Sequence, residues 1–248
     1  MKRLVPAVLA VLLSIVAVVA QFALRAGRTS AAPAVAEGAL AALGGLRSLA
    51  AEVVWFRADR LQDEGRYVEL AQLASTLAYL EPHTPEVWSY AAWNLAYNIS
   101  VMMPTYEDRW RWVDAAIVLL RDRGLELNPA EGELYRELAW LFELKLGTNL
   151  DAAAAVYRAK WRETVEDVAR RGAWDELRMD RKTVDEVKAA YGLEDVGDPL
   201  FSAVYWAHVG RAVSSNKEDE AFLNAIIRQS VAIYRRARGS MSRERHSP

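Results

Sequence analysis

From about Leu46 to Trp161, apolar residues recur at helical spacing, with polar residues filling the positions between. SLAAEVVWFRADRLQDE carries Leu49, Val53, Phe56 or Trp55, and Leu61 at that spacing and predicts a helix. A second helix is predicted over Tyr67–Leu80, with Leu70, Leu73, Ala74, Leu77 and Leu80 as its stripe. Glu81-Pro82 ends it, since proline excludes helical geometry from the residue before it. Pro85 suits the first turn of the next helix. Counting three, four and seven positions from Trp88 reaches Ala91, Ala92 and Leu95. The same steps from Tyr135, which follows Pro129 as Trp88 follows Pro82, reach Leu138, Ala139 and Phe142. A small residue four positions on lets two helices of a hairpin approach, and Ala92 and Ala139 meet that need.

Between these two helices, SVMMPTYEDRWRW exceeds an ordinary turn and reads as an insertion. Pro104 interrupts it, Glu107-Asp108 suit a helix start, and the next helix is expected from Arg109 to Leu127 with Gly124 as its small residue. Gly147 marks a turn, Asn149 or Asp151 a cap, and DAAAAVYRAKWRETVEDVARR a helix reaching about Arg171. Beyond Gly172 the chain is more charged, with a short helix ended by Gly192. PLFSAVYWAHVGRAV predicts a first helix in which Gly210 stands four residues after Trp206. Asp219–Arg238 is its expected partner, and together they read as a capping fourth hairpin within 172–238. Residues 239–248 read as a basic, disordered tail.

Ahead of all this, Lys2 and Arg3 precede an apolar run from Leu4 to Leu24, long enough for a ~30 Å hydrocarbon core. The expectation is a single transmembrane anchor over 1–25 and a linker over 26–45, with the rest on the non-cytoplasmic, periplasmic side. A cleaved signal peptide ending at Val18-Val19-Ala20 is the rival reading.

Composition narrows the chemistry. Acids and bases nearly cancel, at a net charge of −2, which argues against a nucleic-acid partner. The absence of cysteine removes disulfides, thiolate metal sites and cysteine catalysis. No GxSxG elbow or glycine-rich phosphate loop occurs, and His83, His208 and His246 lack metal-ligand spacing. Asp59 and Asp63 lie one helical turn apart, as ordinary solvated faces commonly show. The expectation is therefore no catalytic residue, cofactor, metal or small-molecule substrate.

EGRYVELAQLA, EVWSYAAWNLAYNIS, EDRWRWV and LYRELAWLFELKLG carry a resemblance. From about Leu46 to Trp161 the chain resembles tetratricopeptide-repeat proteins, and it looks like a group of uncharacterised, membrane-anchored bacterial repeat proteins with no assigned chemistry. The resemblance implies an all-α fold: a transmembrane helix, then an α-solenoid of three to four hairpins with repeats over 46–171. It also implies a concave groove lined by the first helix of each hairpin. Here those positions are Trp55, Asp59, Ser89, Trp93, Tyr97, Arg136 and Trp140, flanked by Tyr90, Asn94 and Asn98. Aromatics supply apolar area and amides bond an extended backbone, although the same tryptophans can pack neighbouring hairpins. Arg109, Trp110, Arg111 and Trp112 form a second candidate interface. The function expected is a membrane-tethered, non-catalytic scaffold for a protein or peptide. The alternatives are a structural subunit of a membrane complex and, without a motif behind it, a helical enzyme.

Overall fold

The computed structural model describes residues 51–244, whose regular structure is entirely helical. The expected anchor Leu4–Leu24 and linker 26–45 lie outside the described residues. No helix among the described residues is long and apolar enough to cross a membrane. Among the described residues, 51–56 fall in one compact unit and those from Arg57 onward in another. The first contributes a helical stretch, 51–56, which holds Trp55. The account below concerns the second.

A helical stretch at 57–63 ends where Gly65 takes φ +68°, a left-handed conformation that side-chain-bearing residues resist. Helix α1 follows over Tyr67–Leu80, the predicted bounds. Helix α2 occupies 85–102: α-helical over Pro85–Trp93, a π turn over Asn94–Ile99, and α-helical again over Ser100–Met102. Helix α3 occupies 106–127, with its own π turn at Leu119–Gly124. Thr105 caps α3, its hydroxyl accepting from Asp108 N at 3.1 Å and donating to Asp108 Oδ2 at 2.7 Å. The stretch expected as an insertion is thus two lengthened helix ends and a turn of residues 103–105. Helix α4 runs over Gly132–Trp140 and then a π turn, Leu141–Leu146. Helix α5 is Ala154–Arg171, closed by Gly172 at φ +70°. A 3-10 turn, Trp174–Leu177, leads to α6, Arg181–Tyr191, capped by the Asp180 side chain. Helix α7 is Pro199–Val213 and α8 is Lys217–Glu244, which continues beyond Arg238 into the stretch expected to be disordered.

Packing follows α1 on α2, α2 on both α3 and α4, and α4 on both α7 and α8. The broadest contacts join α7 to α8 and α4 to α7. Helix α5, expected as the partner of α4, packs chiefly on the π turn of α4, on α3, on the following 3-10 turn and on α7. The partner of α4 is α7, and the stretch containing α5 and α6 is an excursion between them. Trp161 holds that excursion in the core: its ring lies 4.6 Å from Phe142 and its Nε1 donates to Ser202 Oγ at 2.9 Å.

Two helical pairs, α2 with α3 and α4 with α7, are built alike. Trp88 Nε1 donates to Pro82 O at 3.0 Å, and Tyr135 Oη donates to Pro129 O at 3.0 Å. Gly124 on α3 faces the Trp88 side chain and Leu134 of α4; Gly210 on α7 faces the Tyr135 side chain and Leu223 of α8. Gly210 is therefore the counterpart of Gly124, on a second helix of a pair. Trp206, read from sequence as a second Trp88, has a buried Nε1 with no hydrogen-bond partner. Ala92 and Ala139 are buried to about 1% and 0% exposure in the shared core.

Candidate functional site

Residues 85–86, 130–133, 214–216 and Asp219 line one cleft, so α2, α4 and α8 begin at the same end and run side by side. Their adjacent faces carry most of the groove residues predicted in this unit. Trp93 and Tyr97 are stacked on α2 with ring centroids 6.0 Å apart, and Tyr97 meets Trp140 of α4 at 6.5 Å. Ser89, Ala92, Leu120, Glu137 and Leu141 complete a notch around these rings, with about 10 Å³ of free space, room for one water. Trp93 is 38% exposed, so it faces solvent as well as its neighbours.

Polar contacts bind the face together. Ser89 Oγ donates to Glu133 Oε1 at 2.8 Å, tying α2 to α4. Arg136 donates to Glu137 at 3.2 Å and forms a short ion pair with Asp219, tying α4 to α8. The Arg136 guanidinium also covers the Phe222 ring, 5.6 Å from its centroid. Burial raises the Glu137 carboxyl above its usual range, Arg136 opposes this, and Glu133 and Asp219 add to it. Burial likewise raises the Tyr97 phenol, with Glu137 and Asp151 adding to the shift.

The remaining predicted residues are placed differently. Asn94 is 1% exposed and accepts from Asn98 Nδ2 at 3.0 Å, so its amide lies away from the open face. Half-buried Tyr90 donates to Gln62 Oε1 at 2.5 Å, which fastens α2 to the stretch before α1. Asp59 is exposed, on the helical stretch 57–63. Trp55 belongs to the other unit. Arg109–Trp112 lie on α3, the helix expected from Arg109, which starts three residues earlier at Tyr106. Trp110 packs on Tyr157 at 6.2 Å, Arg109 donates to Met103 O at 3.2 Å, and exposed Arg111 pairs with Asp108 at 2.9 Å. Only Arg111 of the four is largely solvated.

Beneath the notch lies a polar cluster that the sequence reading passed over. Lys145, 4% exposed, pairs with Asp151 at 2.6 Å, and its ammonium lies 5.0 Å from the Tyr97 ring centre and 5.9 Å from that of Tyr157. Arg109 reaches the same carboxylate at 3.9 Å. These cations hold the Asp151 carboxyl below its usual range despite burial, which works the other way. Attached to α2, α3, α4 and the turn before α5, the cluster is a clamp with its charges already satisfied. Glu143 lies two residues before Lys145. It is 3% exposed, and burial pushes its carboxyl to about 7, with the Ser230 hydroxyl opposing the rise. The signal for both residues was present: two charges at Glu143 and Lys145 inside the apolar run LFELKL.

Among the described residues no three of His, Asp and Glu are grouped to hold a metal ion. The fold and face define an all-helical protein with aromatic and acidic side chains displayed across three neighbouring helices. The chain matches no protein-family model, no curated protein and no solved structure.

Proposed function

We propose that this protein is a non-catalytic scaffold, tethered to a membrane by Leu4–Leu24, that binds a protein or peptide on the α2–α4 face. In this reading the stacked pairs form a short tetratricopeptide-like α-solenoid on the non-cytoplasmic side. The observation that supports it most is the row Trp93–Tyr97–Trp140, aligned across two helices and open at Trp93. Aromatic side chains of this kind commonly dominate binding energy, because they bury large area with little entropy to lose. The test is Trp93→Ala in the full-length protein, read by partner capture from membranes beside circular dichroism. Loss of the captured partner with the helical signal intact is expected. Recovery of the same partners would sink the reading.

A structural subunit of a membrane complex remains the second reading, favoured by a different surface. Val101, Met102 and Tyr106, at the α2–α3 turn, are 46%, 52% and 44% exposed. If that turn is the contact, Met102→Glu will release the protein from its complex and Trp93→Ala will not.

A further inference from the structure

The face described above has a marked charge. Glu86, Glu131, Glu133 and Asp219 line the cleft where α2, α4 and α8 begin, and no lysine or arginine lines it. The cleft has about 260 Å³ of open space. It adjoins the aromatic notch through the Ser89–Glu133 hydrogen bond and the Arg136 bridge, and the notch adds Glu137.

Acids are ordinary at helix starts, where they answer the helix dipole, so the balance decides. Three helix ends supply about half a positive charge each. Adding Arg136, which pairs with both Glu137 and Asp219, still leaves the four cleft carboxylates in excess by about one and a half charges. The whole chain carries only −2, so this excess is local rather than a reflection of composition. The carboxylates are spread along the cleft and lack a metal-holding grouping, an arrangement suited to a long organic cation.

Resting on the scaffold reading above, we infer that the face selects a basic partner: an extended segment that places lysine or arginine in the cleft and an aromatic or large aliphatic side chain against Trp93. Glu86 and Trp93 are seven positions apart on α2, as are Glu133 and Trp140 on α4. Both spacings correspond to about 10 Å of helix. An extended peptide covers that length in about three residues. The recognised pattern is a basic residue three positions from an apolar one.

The test uses the full-length chain in mild detergent and fluorescein-labelled nine-residue probes read by anisotropy. One probe carries Arg-Lys and, three positions after the lysine, Phe, in a Gly/Ser background. The second replaces Arg-Lys with Glu-Glu, and the third replaces Phe with Ser. The basic probe is expected to bind at least tenfold more tightly than either of the others. Glu86→Gln with Glu131→Gln, both exposed positions, should weaken it about tenfold and flatten its salt dependence. Equal binding of acidic and basic probes, with sensitivity to Trp93→Ala retained, overturns the charge selection and leaves the groove standing. No binding by any probe also overturns this inference, while the groove is judged separately by the capture experiment. Concentration-dependent dimerisation dissolved by the basic probe would seat the Arg235 and Arg238 region of a second copy in the cleft, against a separate partner.

Discussion

The α2–α3 and α4–α7 pairs solve the same packing problem with different lengths of chain. Pro82 and Pro129, Trp88 and Tyr135, Trp93 and Trp140, and the π turns starting at Asn94 and Leu141 are each 47 residues apart. The offset then fails: Gly124 and Gly210, which make the matching contacts, are 86 residues apart. The chain leaves after α4, forms α5 and α6, and returns with α7 to the place that α3 fills in the earlier pair. What the fold keeps is the local contact between an aromatic ring and a glycine, since ring and backbone must meet for the helices to close. The length of chain between them is free to vary, because lengthening a connection adds closure entropy only slowly. The pairs also differ inside, where buried Ala96 of the first corresponds to buried Glu143 of the second.

The two glycines give the largest contrast. At Gly210 an added methyl overlaps Tyr135 Cβ and comes within 3.0 Å of Cγ, whereas at Gly124 the nearest atom, Trp88 Cβ, is 3.4 Å away. Gly210→Ala should therefore destabilise by about 3 kcal/mol through overpacking, measured by urea unfolding. A silent Gly210→Ala would mean that α7 does not stand where α3 does.

Next comes the buried acid. Its folded pKa of about 7 lies above the 4.5 of a free glutamate, so the folded state retains a proton that the unfolded state gives up. Stability then falls as pH rises from about 4.5 to 7, by on the order of 3 kcal/mol. Glu143→Gln should match the parent near pH 4, exceed it at pH 8 by about 3 kcal/mol, and flatten the slope between. Paired urea titrations at those pH values check this; an unchanged slope would show that Glu143 is not the group titrating.

Smaller effects are expected at the anchors. Tyr135→Phe removes one hydrogen bond to Pro129 O and should cost about 1 kcal/mol in urea unfolding. Trp88→Phe should cost more, because it also empties ring volume in the core, although Asn128 keeps Pro82 O bonded. Smallest of all, Gly124→Ala should be neutral or stabilise by up to about 1 kcal/mol, since the methyl has room and alanine favours helix.

Much of the helical layout was legible because local rules set it. Tyr67–Leu80, Ala154–Arg171 and Pro199–Val213 end where proline or glycine punctuation, caps or a change of periodicity said they would. Of the groove residues, Trp93, Tyr97 and Trp140 come together because they share the faces of adjacent first helices. Asn94 was misplaced because it stands about 100° around the helix from Trp93, on the side that packs inward. The acidic cleft was not legible at all: Glu86, Glu131 and Asp219 are remote in sequence and meet only because three helices start side by side.

The amino-acid sequence by itself determined that this protein is helical, where most helices begin and end, and which residues anchor each pair. Those features depend on backbone dihedrals and on spacing within a few turns. Tertiary structure decided that α7, rather than α5, is the partner of α4, that Lys145 is held by Asp151 under the notch, and that dispersed acids converge on one cleft. Each of these depends on contacts between distant segments, which a helical period cannot encode because it repeats identically on every helix.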